Sequence, residues 1–317
     1  MHEWGWMVAI YLFLGGLGAG ALVVASVFEL TGKRYEFDFC ASTLVGSTIP
    51  GPVVAAGTVL LIFDLGAGLR EPWRIPYMFT HLSSVMTWGV WILTLFIPIA
   101  FLYGFLEIAD TYPSVWSGLV TRFRPLNKVP LRPAKRVLAA VGGVLAVSVA
   151  VYTGVLISAV GPAVPFWSTK VLPFINIPNL PLLFLVSALS TGVGLTVDVA
   201  ATLSIPDLSR RVRRLPLIHL AMIGLETLLV GLLLITAFLS GGAAAQAARE
   251  IVVGVHSFVF WLLIIIPGFV FPFVVHAYAA GLGGHSPLSE LCAGFGVVVG
   301  GLFLRYLIIV SGIHTFL

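Results

Sequence analysis

Residues 4–30 read WGWMVAIYLFLGGLGAGALVVASVFEL, with a single charge, Glu29, next to the last position. A bilayer's hydrocarbon core is about 30 Å thick, and a helix rising about 1.5 Å per residue crosses it with about 20 apolar residues. A soluble helix keeps a polar face, and this stretch has none. The same ruler laid along the chain finds seven more segments, at roughly 45–69, 84–108, 136–160, 180–203, 215–240, 250–279 and 288–314. Backbone N–H and C=O groups cannot stay unpaired against lipid, so each segment is expected to be a helix. The fold class is therefore read as an all-α integral membrane protein with eight spans. Ser190-Thr191-Gly192-Val193-Gly194 in span five echoes the glycine patch Gly15–Gly20 of span one. That echo hints at one transmembrane domain built of two four-helix halves, 1–160 and 161–317. Small residues of this kind let helix backbones approach closely in lipid.

Composition excludes the other classes. Of 317 residues, 59% are hydrophobic and 9% charged, against about 25% charged in soluble domains. Neither a soluble globule nor a disordered chain fits. The net charge of +4 does not point to nucleic acid, because the basic residues cluster in short loops between apolar runs. The loops after spans one, three, five and seven hold 12 Lys and Arg, those after spans two, four and six hold 4, and Arg305 lies inside span eight. The positive-inside rule then places the first set in the cytoplasm and both termini outside. No Lys or Arg precedes the first apolar run, so it lacks a signal peptide's basic start and is expected to stay in the mature protein. Inside span seven, Pro267 and Pro272 predict a kink.

Two cysteines, Cys40 and Cys292, cannot supply the four thiolates of an iron–sulfur cluster and match no zinc spacing. They are read as inert thiols, and no metal is expected in the protein. A haem is disfavoured because His256 and His276 fall at opposite ends of one span, whereas bis-His ligation needs facing helices at matched depth.

Charges within spans are costly and therefore functional candidates. They are Glu29, Asp64, Glu107, Asp198, Glu226 and Arg305, with His219, His256 and His276. Glu29 and Glu107 lie near helix ends, where a long side chain reaches the interface. Asp198 and His276 fit either an interhelical hydrogen bond or proton handling. Glu226, at mid-membrane depth, needs a partner or a polar cavity. Asp64 and Arg305 have opposite charges at similar depth and are candidates to pair. Glu226, Asp198, Glu107, Glu29 and Arg305 together form a candidate proton path. Tyr11 and Tyr152 lie deeper than an interfacial aromatic belt requires.

Several motifs in order resemble the NrfD/PsrC family of membrane subunits from polysulfide-reductase-like complexes. They begin with Trp4-Gly5-Trp6 and Ala9–Gly20, and continue with Phe63-Asp64-Leu65-Gly66 and Ser84–Gly89. Tyr152-Thr153-Gly154-Val155-Leu156-Ile157-Ser158, Leu180–Ala188 and Leu304-Arg305-Tyr306 complete the set. The resemblance implies a quinol/quinone-binding subunit of a prokaryotic cytoplasmic membrane, with menaquinone or another quinone as its exchangeable ligand and no haem or cluster of its own. It implies an iron–sulfur partner with four clusters, itself serving a molybdopterin catalytic subunit or a multihaem cytochrome. By position it puts Tyr11 and Tyr152 in the quinone pocket as hydrogen-bond partners and Asp64 at its mouth as proton acceptor. His81 and Arg70 are further pocket candidates. Some relatives carry His and Asn where this protein has Tyr11 and Val8. The outer loop at 161–179, with Phe166, Trp167 and Phe174, is expected to be a docking surface. The competing expectation is a secondary transporter or proton channel that uses the intramembrane acids.

Overall fold

The computed structural model describes residues 5–64, 72–114, 117, 130–172, 175–204, 215–282 and 286–312. Eight helices long and apolar enough to span a bilayer are present among them. They are span one (Trp6–Leu30), two (Phe39–Phe63), three (Val85–Thr111), four (Leu131–Ser158), five (Asn179–Ser204), six (Pro216–Ser240), seven (Val259–Gly281) and eight (Pro287–Val310). Trp6 stacks on Tyr306 with ring centroids 3.7 Å apart, so the polypeptide enters span one and leaves span eight on the same face of the bundle. We call this the terminal face.

Three boundaries differ from the sequence reading, each for a local reason. Span two begins earlier. Its helix runs Phe37–Thr48, passes Ile49, and resumes over Pro50–Asp64, because a proline starts a helical turn without needing the N–H it lacks. Span four starts at Leu131, with Pro133 tolerated in its first turn, so Lys135 belongs to the helix and not to the loop. Span seven starts at Val259. Of the residues assigned to its beginning, Glu250–Val252 instead end a separate helix, Gly242–Val252, which buries Ala244, Ala247, Ala248 and Ile251 along one stripe and leaves Gln246 and Arg249 exposed. That i, i+3, i+4, i+7 spacing marks an amphipathic helix, not a spanning one. His256 consequently lies in the turn before span seven. Span seven opens in π-helical geometry over Val259–Val270, which accommodates Pro267, and becomes α-helical from Phe271. A short antiparallel hairpin, β1 (Lys170–Leu172) and β2 (Ile175–Pro178), interrupts the otherwise helical fold.

Span one is the axis of the bundle and packs against spans two, four, five and eight. Its glycine patch makes this geometry attainable. A Cβ at Gly20 would overlap the Ala188 carbonyl of span five, and one at Gly192 would overlap the Gly20 backbone. The two backbones thus touch directly, as small-residue faces allow in lipid. Gly20→Ala is expected to cost about 1–3 kcal/mol or more through overpacking. Gly231→Ala, whose Cβ would meet nothing within 4 Å, should leave thermal unfolding in detergent unchanged. Equal melting curves for the two variants would remove the backbone contact as a determinant of packing.

Candidate functional site

Four groupings of side chains stand out, one at the terminal face and three deeper. At the terminal face, spans two and three border an apolar slot of about 130 Å³. Leu61 and Ile62 line it from span two, Met86, Val90 and Leu93 from span three, and Met78 and Phe79 from the turn between. Thr58 and Thr94 also line it, but their hydroxyls donate to the Val54 and Val90 carbonyls of their own helices. The slot therefore presents carbon and no spare donor.

Tyr11 and Tyr152 flank this slot without lining it. Both are buried, at 7% exposure, and both belong to the main apolar cluster. Tyr11 packs its backbone against Gly57, beside slot residue Thr58. Tyr152 reaches Gly89, between slot residues Met86 and Val90, and a Cβ at Gly89 would overlap the phenol. The Tyr152 hydroxyl has no hydrogen-bond partner among the described residues.

In the bundle interior Arg305 is fully buried. Its Nη1 donates to Ser187 Oγ at 3.1 Å and to the Gly301 carbonyl at 3.0 Å. The guanidinium lies 5.3 Å from the Phe184 ring and 5.8 Å from that of Phe13, a cation–π arrangement. Gly16 of span one makes room for it, since a Cβ there would overlap Nη2. Ser187 and Ser190 also lie against the Glu226 carboxylate, so Ser187 stands between the buried cation and the buried acid. The expected Asp64–Arg305 pair involves a side chain outside the described residues. Asp64 ends the span-two helix, and its side chain lies outside the described residues, as does Arg70. His81 is exposed in the loop, its Nδ1 3.1 Å from Thr80 Oγ1.

On the face opposite the termini, Glu29 and Glu107 do not reach an interface. Both are fully buried. Lys135 explains why: its Nζ lies 2.6 Å from Glu107, 2.7 Å from Asp110 and 3.4 Å from Glu29. Arg34 pairs with Glu107 and donates to Thr111 at 2.9 Å. Burial pulls the Arg34 guanidinium toward losing its proton, but Glu107, Cys40 and Asp110 more than offset this and raise its pKa. Three acids and two bases thus tie spans one, three and four together. Lys135 was hidden in the sequence among loop cations; the signal was Pro133, a residue that suits a helix's first turn.

The last grouping joins spans five, six and seven. Asp198 Oδ2 lies 3.1 Å from His219 Nδ1 and 3.6 Å from His276 Nε2, and all three residues are buried. Asp198 and His276 are indeed brought together. His219 completes a set of three that the sequence did not assemble. The docking expectation for loop 161–179 fails at its aromatics. Phe166 and Trp167 are 1% and 2% exposed, and the Trp167 indole donates to the Ile308 carbonyl at 2.7 Å. Phe174 lies outside the described residues.

A family model described as "Polysulphide reductase, NrfD" matches residues 2–317. This chain belongs to the NrfD family. It is similar to the C subunit of polysulfide reductase from Wolinella succinogenes, 30% identical across 98% of this sequence and 94% of that protein. It is 33% identical to protein NrfD of Escherichia coli over 62% of this sequence and 59% of the other. A NrfD homolog of Haemophilus influenzae is 26% identical over 87% and 83%. The resemblance read from the motifs is thus confirmed, as is the eight-span integral membrane architecture.

The charge network predicts a clear hierarchy. Lys135→Met leaves Glu29 buried without its cation and Glu107 with Arg34 alone, and such one-sided removal costs about 3–5 kcal/mol. Glu29→Gln removes the surplus acid and should cost much less. Thermal unfolding of both variants in detergent tests this, and equal losses would mean that Lys135 is not the organising cation.

Proposed function

We propose that this protein is the quinone-binding membrane subunit of a respiratory oxidoreductase. In this reading it exchanges electrons between the membrane quinone pool and an iron–sulfur subunit docked outside the cytoplasm, with a molybdopterin or multihaem protein beyond. The observation that carries the reading is Tyr152, a buried tyrosine whose hydroxyl makes no hydrogen bond to the described residues, beside an apolar slot. A quinone fits both features, with a flat apolar body and oxygens that need hydrogen-bond partners. When bound, a quinol supplies two electrons and two protons. The work of the protein's own residues is to hold and orient. Tyr152 donates its hydroxyl to a ligand oxygen, Tyr11 closes the pocket from span one, and the carbon-lined slot excludes water. Asp64, at the end of span two, is placed to take a proton near the mouth.

The membrane direction follows the same reading. The basic residues concentrate in loops on the face opposite the termini, and moving Lys135 into span four leaves that bias intact. Both termini and the slot then lie on the extracytoplasmic side of a prokaryotic cytoplasmic membrane.

Tyr152→Phe, assayed in the assembled complex, should lower quinol turnover about tenfold, the equivalent of one hydrogen bond worth about 1.4 kcal/mol. Assembly and melting temperature should not change. Quinol kinetics equal to wild type would take Tyr152 out of the site and remove the main support for this reading.

A second role, proton movement coupled to that exchange, rests on Glu226. It lies near the middle of span six, 2% exposed, with Ser187 and Ser190 as its hydroxyl partners and Arg305 beyond. Glu226→Gln in proteoliposomes is expected to abolish proton uptake from the cytoplasmic side while quinol oxidation continues. Undiminished uptake would make Glu226 structural. Uptake that continues without any quinol turnover would favour a channel or transporter instead.

A further inference from the structure

We infer that Asp198, His219 and His276 form a binding site for a divalent transition-metal ion of the zinc class. The three side chains come from spans five, six and seven and are each more than nine-tenths buried. One ligand atom from each lies within 4.8 Å of the others. Ligands about 2.1 Å from an ion at tetrahedral angles sit about 3.4 Å apart. The observed separations from Asp198 Oδ2 bracket that value, 3.1 Å to His219 Nδ1 and 3.6 Å to His276 Nε2.

Contact between Asp198 and His219, 3.1 Å apart, does not account for the convergence of His276. A distance of 3.6 Å is beyond hydrogen-bond range, and neither Asp198 Oδ2 nor His276 Nε2 has a well-angled partner among the described residues. These are buried polar atoms aimed at one point from three helices. Imidazole nitrogen and carboxylate oxygen are ligands that zinc and its neighbours accept, and three protein ligands leave one position for water. Two neutral imidazoles and one carboxylate would leave a bound dication with one net positive charge.

The surroundings provide room and access. Gly294 of span eight backs onto Asp198 so closely that a Cβ would overlap it, which makes space for the carboxylate. Asp198 itself lies in the π-helical stretch Gly194–Ala201, a backbone form that often marks functional positions. An open cavity of about 460 Å³ lies alongside, lined by Val275 and Ala279, which neighbour His276 along span seven, and by Glu290. Glu290, in the wall of this cavity, is one helical turn from Gly294. Bound by the three ligands, the ion would clamp spans five, six and seven, which share no other ion pair among the described residues. The inference is independent of the quinone reading.

The test uses the full-length protein in detergent, stripped with a chelator and then dialysed against Zn²⁺ or Co²⁺. Wild type should retain one ion per molecule by elemental analysis, melt at a higher temperature when loaded, and give the intense visible absorption of tetrahedral Co²⁺. His219→Ala and His276→Ala should each weaken binding by more than about a hundredfold, since loss of even outer-shell partners costs 10–100-fold. The Co²⁺ spectrum of wild type decides the matter even if a variant folds poorly. A colourless wild-type protein without stoichiometric metal overturns the site, as does equal metal retention in a folded histidine variant.

Discussion

Lipid gives an ionised side chain nothing to bond to, and most of this architecture follows from that. The buried charges described within the spans are supplied with partners from other helices. Arg305 is held by Ser187 and Gly301 and faces Glu226. Lys135 and Arg34 gather Glu29, Glu107 and Asp110. Asp198 draws in two histidines. The helices that meet at these points are the ones that need each other, so the polar clusters set which spans are neighbours as much as apolar packing does.

Glycine solves the complementary problem of bringing backbones close enough for short side chains to meet. Span one carries small residues toward spans two, four, five and eight. Gly20 touches span five and Gly16 admits the Arg305 guanidinium. Gly89 does the same for Tyr152, and Gly294 for Asp198. In these last three cases the space left by a missing side chain is filled by a polar group from another helix. The glycines and the ionisable residues are therefore two halves of one packing scheme.

Much of this was legible in the amino-acid order. Length and apolar content fix the number of spans, and motif order fixes the family. The polar stripe was also readable in principle. Ser187, Ser190, Gly194 and Asp198 recur at helical spacing on span five, and His219 and Glu226 stand seven residues apart on span six, so each set shares one face. What hydropathy could not convey was where an amphipathic stretch stops and a span begins. Glu250–Val252 run on into the apolar stretch of span seven, yet they end a separate amphipathic helix. Nor could the sequence reveal that Phe166 and Trp167 fold inward, because an aromatic in a proline-rich loop looks the same whether it faces a partner or the core. Lys135 was misplaced because charge counting treats every cation near a loop as part of it.

The contact between Gly20 and span five also constrains how the molecule is made. A ribosome delivers span one first, and its matching surface on span five follows more than 150 residues later. Glu29 likewise waits for Lys135 on span four. During synthesis the first helix therefore carries an uncovered glycine face and an uncompensated acid, a condition the insertion machinery must shelter until the middle of the polypeptide arrives. Span one is made before most of the helices it packs against.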